Sequence, residues 1–175
     1  MRARVVAAEP QAACAAVLRE KYGANANLTI VEEALGETAG EAEIMVSNAH
    51  TISSLSPEWI ESVRKSGRFA KFNWDKRQPV RISTLDMLIS RYGMPQFIKI
   101  DVEGYEYQVV KGLSQPVRTI SLEFTPEFID STFACLRHLS SLGGIRLNYS
   151  VGESMRLALD KWVGEAEMVE ILSGF

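Results

Sequence analysis

The stretch Phe97-Ile98-Lys99-Ile100-Asp101-Val102-Glu103-Gly104 decides the fold of this chain. A short apolar strand ends in two carboxylates, and a glycine and the helical pattern of residues 105–113 follow at once. In open α/β sheets, ligands sit outside the carboxyl ends of the strands. Asp101 and Glu103 therefore stand where a ligand would be held. The competing reading is an acidic turn that only caps the next helix, because carboxylates suit helix N-termini.

Outward from this point, strands and helices alternate. Upstream, Thr84 starts a helix that Gly93 stops, and residues 80–83 read as an edge strand. Residues 67–79 read as irregular, 57–65 as a short helix and 48–56 as a polar loop. The run 41–47 alternates in polarity and reads as an added antiparallel strand. Residues 28–35 read as one strand, 10–21 as a helix with Pro10 at its start, and 5–8 as the strand before it. Downstream, residues 119–124 read as a strand, and 130–142 as a helix with Phe133, Leu136 and Leu139 facing inward. Residues 145–150 and 155–159 read as a closing antiparallel pair, and Asp160 as the cap of a last helix ending near Leu172. The fold class is α/β, a mostly parallel sheet with an antiparallel C-terminal pair and helices on both faces.

A length of 175 residues suits a single domain with a substantial core, spanning residues 1–175. The formal charge of −3 argues against nucleic acid as a partner, since phosphate binding needs a basic face. A basic cluster at Arg64, Lys65, Arg68, Lys71, Lys76 and Arg77 is interleaved with Phe69, Phe72 and Trp74. It reads as a solvated helix and loop with aromatic anchors, or as a lid over a substrate. Cys14 and Cys135 have no metal or redox spacing and read as free thiols of a reducing compartment. No apolar run is long enough for a membrane span, and the first residues do not form a signal peptide. A cytoplasmic location follows by default. Nothing in the sequence sets the oligomeric state.

The stretch FIKIDVEGYEYQVVKG resembles the signature of the FkbM-type methyltransferases, which use S-adenosylmethionine (SAM). VVAAEP (5–10), VEEALGETAGEAEI (31–44), ISTLDMLI (82–89) and NYSVGESMRLALDKW (148–162) resemble other family segments, in family order. The resemblance implies a Rossmann-like methyltransferase sheet with SAM as cofactor and a small-molecule hydroxyl as acceptor, on a sugar, polyketide or other secondary metabolite. It also implies a first strand and a glycine-containing loop ahead of Val5, where only residues 1–4 stand. The domain is thus expected to be N-terminally incomplete, with SAM bound weakly or not at all and a gap between the strands at Val5 and Phe97 unless those two pair directly.

Under that resemblance Glu9 takes the place of the acid that binds a ribose at a strand end. Ser53 and Ser54 resemble a serine pair of the family that lines the cofactor or substrate pocket, or they cap the helix that follows. Methyl transfer needs alignment and removal of a hydroxyl proton, work that Asp101 or Glu103 can do. Asp101 also lies near enough to the expected cofactor position to count among its contacts. His50, in a polar loop, is a second candidate base. Glu123 on the next strand would complete an oxygen set for Mg²⁺, a reading that is not favoured over a metal-free site. The rival to an enzyme is a non-catalytic α/β interaction module that has lost its cofactor loop.

Overall fold

The structure, a computed structural model, describes residues 3–175. Met1 and Arg2, part of the short stretch ahead of the first strand, lie outside the described residues. Three small sheets organise the chain. In the first, β1 (Val5–Ala8) runs parallel to β2 (Leu28–Val31), joined by α1 (Ala12–Tyr22). In the second, β5 (Lys76–Ser83) lies between β3 (Ala34–Leu35), parallel to it, and β4 (Gly40–Val46), antiparallel to it. In the third, β6 (Ile98–Ile100) runs parallel to β7 (Ile120–Leu122), with α4 (Glu106–Lys111) between them in sequence. Helices α2 (Pro57–Ser66), α3 (Leu85–Tyr92), α5 (Ile129–Leu142) and α6 (Glu165–Leu172) complete the layers. Mixed α/β architecture with mostly parallel pairing is the expected class.

Several expected elements move for physical reasons. Residues 28–35 are two strands, not one, because Glu32 and Glu33 turn outward to pair with Arg19 and Arg91. The break sends β2 to β1 and β3 to β5. The strand expected at 80–83 starts at Lys76 and is flanked on both sides. Pro79 is tolerated there because β3 reaches only Ile82 and Ser83, leaving β4 as the sole neighbour of Pro79. Helix α1 starts at Ala12, after Pro10, since the Gln11 N–H is taken by the Glu9 carboxylate at 2.8 Å.

The closing pair at 145–150 and 155–159 reduces to one antiparallel bridge, Leu147 with Val163, and a bond from the Ala158 N–H to the Tyr149 carbonyl. Asp160 does not cap the last helix, which begins at Glu165 behind Gly164. Trp162 is 48% exposed. His138 is half-buried, with its Nε2 2.9 Å from the Leu113 carbonyl.

The main core sits under the signature. Ile100 packs with Leu85, Val109, Val110, Leu113, Cys135 and Leu139, contributed by α3, α4 and α5. A second cluster gathers Trp59, Ile60 and Val63 of α2 around Met45, Ile52 and Trp74. The aromatics of the basic cluster serve it: Trp74 is buried, Arg64 stacks on its ring at 5.1 Å, and Phe69 leans on Trp59. β1 and β6 do not pair with each other, so each keeps one edge outside any ladder among the described residues. What joins the ends of those two strands is a set of side chains, described next.

Candidate active site

Strand β6 ends at Ile100, and the chain then makes a tight turn into α4. The turn uses two left-handed residues, Glu103 with φ 53° and Gly104 with φ 86°. A left-handed glutamate is uncommon, and such backbone is found where surrounding contacts force it. Two contacts do so here. The buried Glu106 carboxylate accepts from the Val102 N–H at 3.1 Å, and the Glu103 carbonyl accepts from Ser54 Oγ at 2.6 Å.

The turn aims carboxylates together. One oxygen each from Asp101, Glu103 and Glu123 lies within 4.8 Å of the others. Glu123 arrives from the end of β7, where its N–H donates to the Ile100 carbonyl. Lys99 Nζ stands 3.1 Å from Asp101 Oδ2. A side-chain hydrogen bond from Glu123 and the Lys99 ammonium hold Asp101 below the usual carboxylate range. The same bond to Asp101, with burial and the Asp101 charge, pushes Glu123 up to about 7. Burial, then the charges of Glu123, Asp101 and Glu106, push Glu103 up to about 8. Two close carboxylates share a proton in this way, and the titration belongs to the group rather than to one residue.

A cavity opens beside this group, lined by Trp59, Glu103, Glu123, Thr125, Phe128 and Cys135 among others. Thr125 Oγ1 is buried there without a hydrogen-bond partner. The Cys135 thiol is pushed up to about 12, chiefly by burial, and is inert as a nucleophile.

The remaining predicted residues gather at the end of β1. Glu9 is half-buried, and burial raises its carboxyl above the ordinary range against the Gln11 N–H and the His50 charge. His50 is exposed on a short 3₁₀ turn, His50–Ile52, and the carboxylate it acts on is Glu9. Ser53 and Ser54 are buried, and their hydroxyls are committed inside the protein. Ser53 Oγ donates to Gln11 Oε1 at 3.0 Å, and Ser54 Oγ donates to the Glu103 carbonyl. The helix cap is Ser56, which accepts from the Trp59 N–H at 3.1 Å. The structure thus splits the predicted set into a Glu9–His50 end and an Asp101–Glu103 end, bridged by the two serines. Sequence reasoning missed Gln11 and Glu106. The Gln11 side chain meets partners 39 and 42 residues away, which only packing reveals, whereas Glu106 accepts from an N–H four residues upstream, a local signal at the start of a helix.

The raised acids make stability depend on pH. Between the ordinary glutamate value of 4.5 and about 8, the unfolded chain has released the Glu103 proton while the folded chain retains it. The native state then binds more protons, so stability falls as pH rises through that window. Glu103→Gln removes the effect. Its melting temperature should gain on the wild type progressively from about pH 5 to about pH 8.5. A gain that does not change with pH would remove Glu103 as the source.

Among the described residues, no helix is long and apolar enough to cross a membrane. A family model, the methyltransferase FkbM domain, matches residues 1–149. No curated protein and no solved structure matches the chain.

Proposed function

This chain belongs to the FkbM methyltransferase family, and on that premise we propose that it methylates a small-molecule hydroxyl with SAM as donor. The observation that carries the proposal is the Asp101–Glu123 pair beside Glu103, three carboxylates at the carboxyl ends of neighbouring parallel strands. The donor set fits SAM. Glu9 is a half-buried carboxylate for ribose hydroxyls, the acidic group suits a sulfonium cation, and no phosphate calls for a basic cradle. When bound, SAM would supply a methyl group to the acceptor oxygen, with S-adenosylhomocysteine as the leaving group.

In this reading the chain's residues do the rest. Glu9 accepts from the ribose, held in place by the Gln11 N–H. Asp101, ionised across the neutral range, takes the acceptor's proton. Glu103 and Glu123, protonated in part near neutrality, orient the acceptor by donating or accepting. Thr125 Oγ1 offers a free hydrogen-bonding group on the cavity wall. The acceptor class, a sugar, polyketide or other hydroxylated metabolite, is the one the family resemblance implies. The two free thiols suit a reducing compartment, the cytoplasm.

An NMR titration with S-adenosylhomocysteine tests the cofactor half and detects weak binding. Saturable shifts are expected at Glu9, Gln11 and residues 47–54. Glu9→Gln should weaken binding about 10–100-fold, the value of charge-assisted hydrogen bonds to two hydroxyls. Since such contacts are made equally in ground and transition states, KM should rise and kcat should hold. An unresponsive spectrum would favour the non-catalytic module instead.

A further inference from the structure

We infer that Gln11 is a positioning residue of this site, whose buried carboxamide clamps the His50 loop to the end of β1 and holds Glu9 in its cofactor-binding place. The inference rests on the cofactor reading above. Gln11 is 8% exposed and stands at the N-cap of α1, yet its side chain makes no capping bond. It turns away from the helix. Nε2 donates to the His50 carbonyl at 3.1 Å, and Oε1 accepts from Ser53 Oγ at 3.0 Å. The backbone N–H of the same residue donates to Glu9 Oε1 at 2.8 Å. One residue therefore grips the carboxylate on one side and the loop on the other.

The clamp continues in both directions. Ser53 Oγ also accepts from the Ser47 N–H at 3.1 Å, which ties the loop to the end of β4. The Pro10 carbonyl accepts from Gln78 Nε2 of β5 at 2.9 Å, so the turn before Gln11 is held from a second strand. Ser54, next in sequence to the clamped Ser53, bonds the Glu103 carbonyl. Since no ladder joins β1 to β6, this route connects the Glu9 end to the acidic end. A buried carboxamide with both ends satisfied holds one geometry, because any rotation leaves a donor or acceptor unpaired.

A double-mutant cycle tests the clamp. Gln11→Leu and Ser53→Ala should each weaken S-adenosylhomocysteine binding about tenfold, the loss of one or two hydrogen bonds. The double variant should lose no more than either single, because both remove the same link. The KM for SAM should rise with kcat at saturation unchanged, which a general loss of structure would not produce. Should Gln11→Leu fail to fold, Gln11→Met removes the same two bonds at closer volume and completes the cycle. Additive losses would mean that Ser53 touches the cofactor itself and would overturn the clamp, as would wild-type affinity in the single variants. A wild type that binds no S-adenosylhomocysteine would defeat the cofactor reading first, and the clamp with it.

Discussion

Asp101→Asn is expected to lower kcat about 10²–10⁴-fold with the fold intact, the usual contribution of a positioned general base. Asparagine keeps the volume and the hydrogen-bonding outline of Asp101 but has no basicity. The side chain is about half exposed, and its partners are Lys99 and Glu123, so the substitution leaves no buried orphan in the core. The readout is acceptor-dependent release of S-adenosylhomocysteine at saturating SAM. The wild-type rate should climb as pH passes about 7, where Glu123 gives up the shared proton and the pair becomes a stronger base. EDTA should leave that rate unchanged. A loss of rate restored by Mg²⁺ would turn the three carboxylates from proton handling to metal binding. A folded Asp101→Asn protein with the wild-type rate would reduce Asp101 to a structural acid.

Gly104→Ala should destabilise the protein by about 2–5 kcal/mol, adding the left-handed backbone penalty to overpacking. The position has φ 86°, and an added Cβ would lie 2.2 Å from both Cβ and Cγ of Trp59. Those atoms sit at the root of the indole, so no change of rotamer clears them. Trp59 is 1% exposed and centres its cluster, so helix α2 would have to shift as a whole. Denaturant midpoints compare the two proteins. A variant that unfolds at the wild-type midpoint would show that the turn can relax away from Trp59. The glycine of the signature is thus required by a helix distant in sequence as well as by the turn it makes.

The elements that local chemistry specifies were legible before the structure. Thr84 caps α3 by accepting from the Met87 N–H at 3.1 Å, as its place before an apolar periodic run implies. The alternation of 41–47 became a seven-residue strand antiparallel to β5. The segment between Leu28 and Leu35 misled because β-propensity does not register where a strand changes partner. At the change of partner Glu32 and Glu33 pair with arginines on other elements. The C-terminal pair misled as well: residues 145–150 and 155–159 form no ladder with each other, and Leu147 bridges instead to Val163.

The sequence by itself determined the α/β class, the apolar strand of the signature with acids at its end, and the grouping of Asp101 with Glu103. Those features depend on neighbours within a few residues, where side-chain pattern and turn chemistry act directly. Only the tertiary structure decided what those acids are. Glu123, the third acid that the sequence set on the next strand, shifts the proton affinities of its neighbours, an effect that exists only at contact distance. It also assigned Ser53 and Ser54 to bracing, since their hydroxyls meet Gln11 and Glu103, 42 and 49 residues away. Hydrogen bonds of that span carry no local signal, because the chain must close the loop before either partner is present.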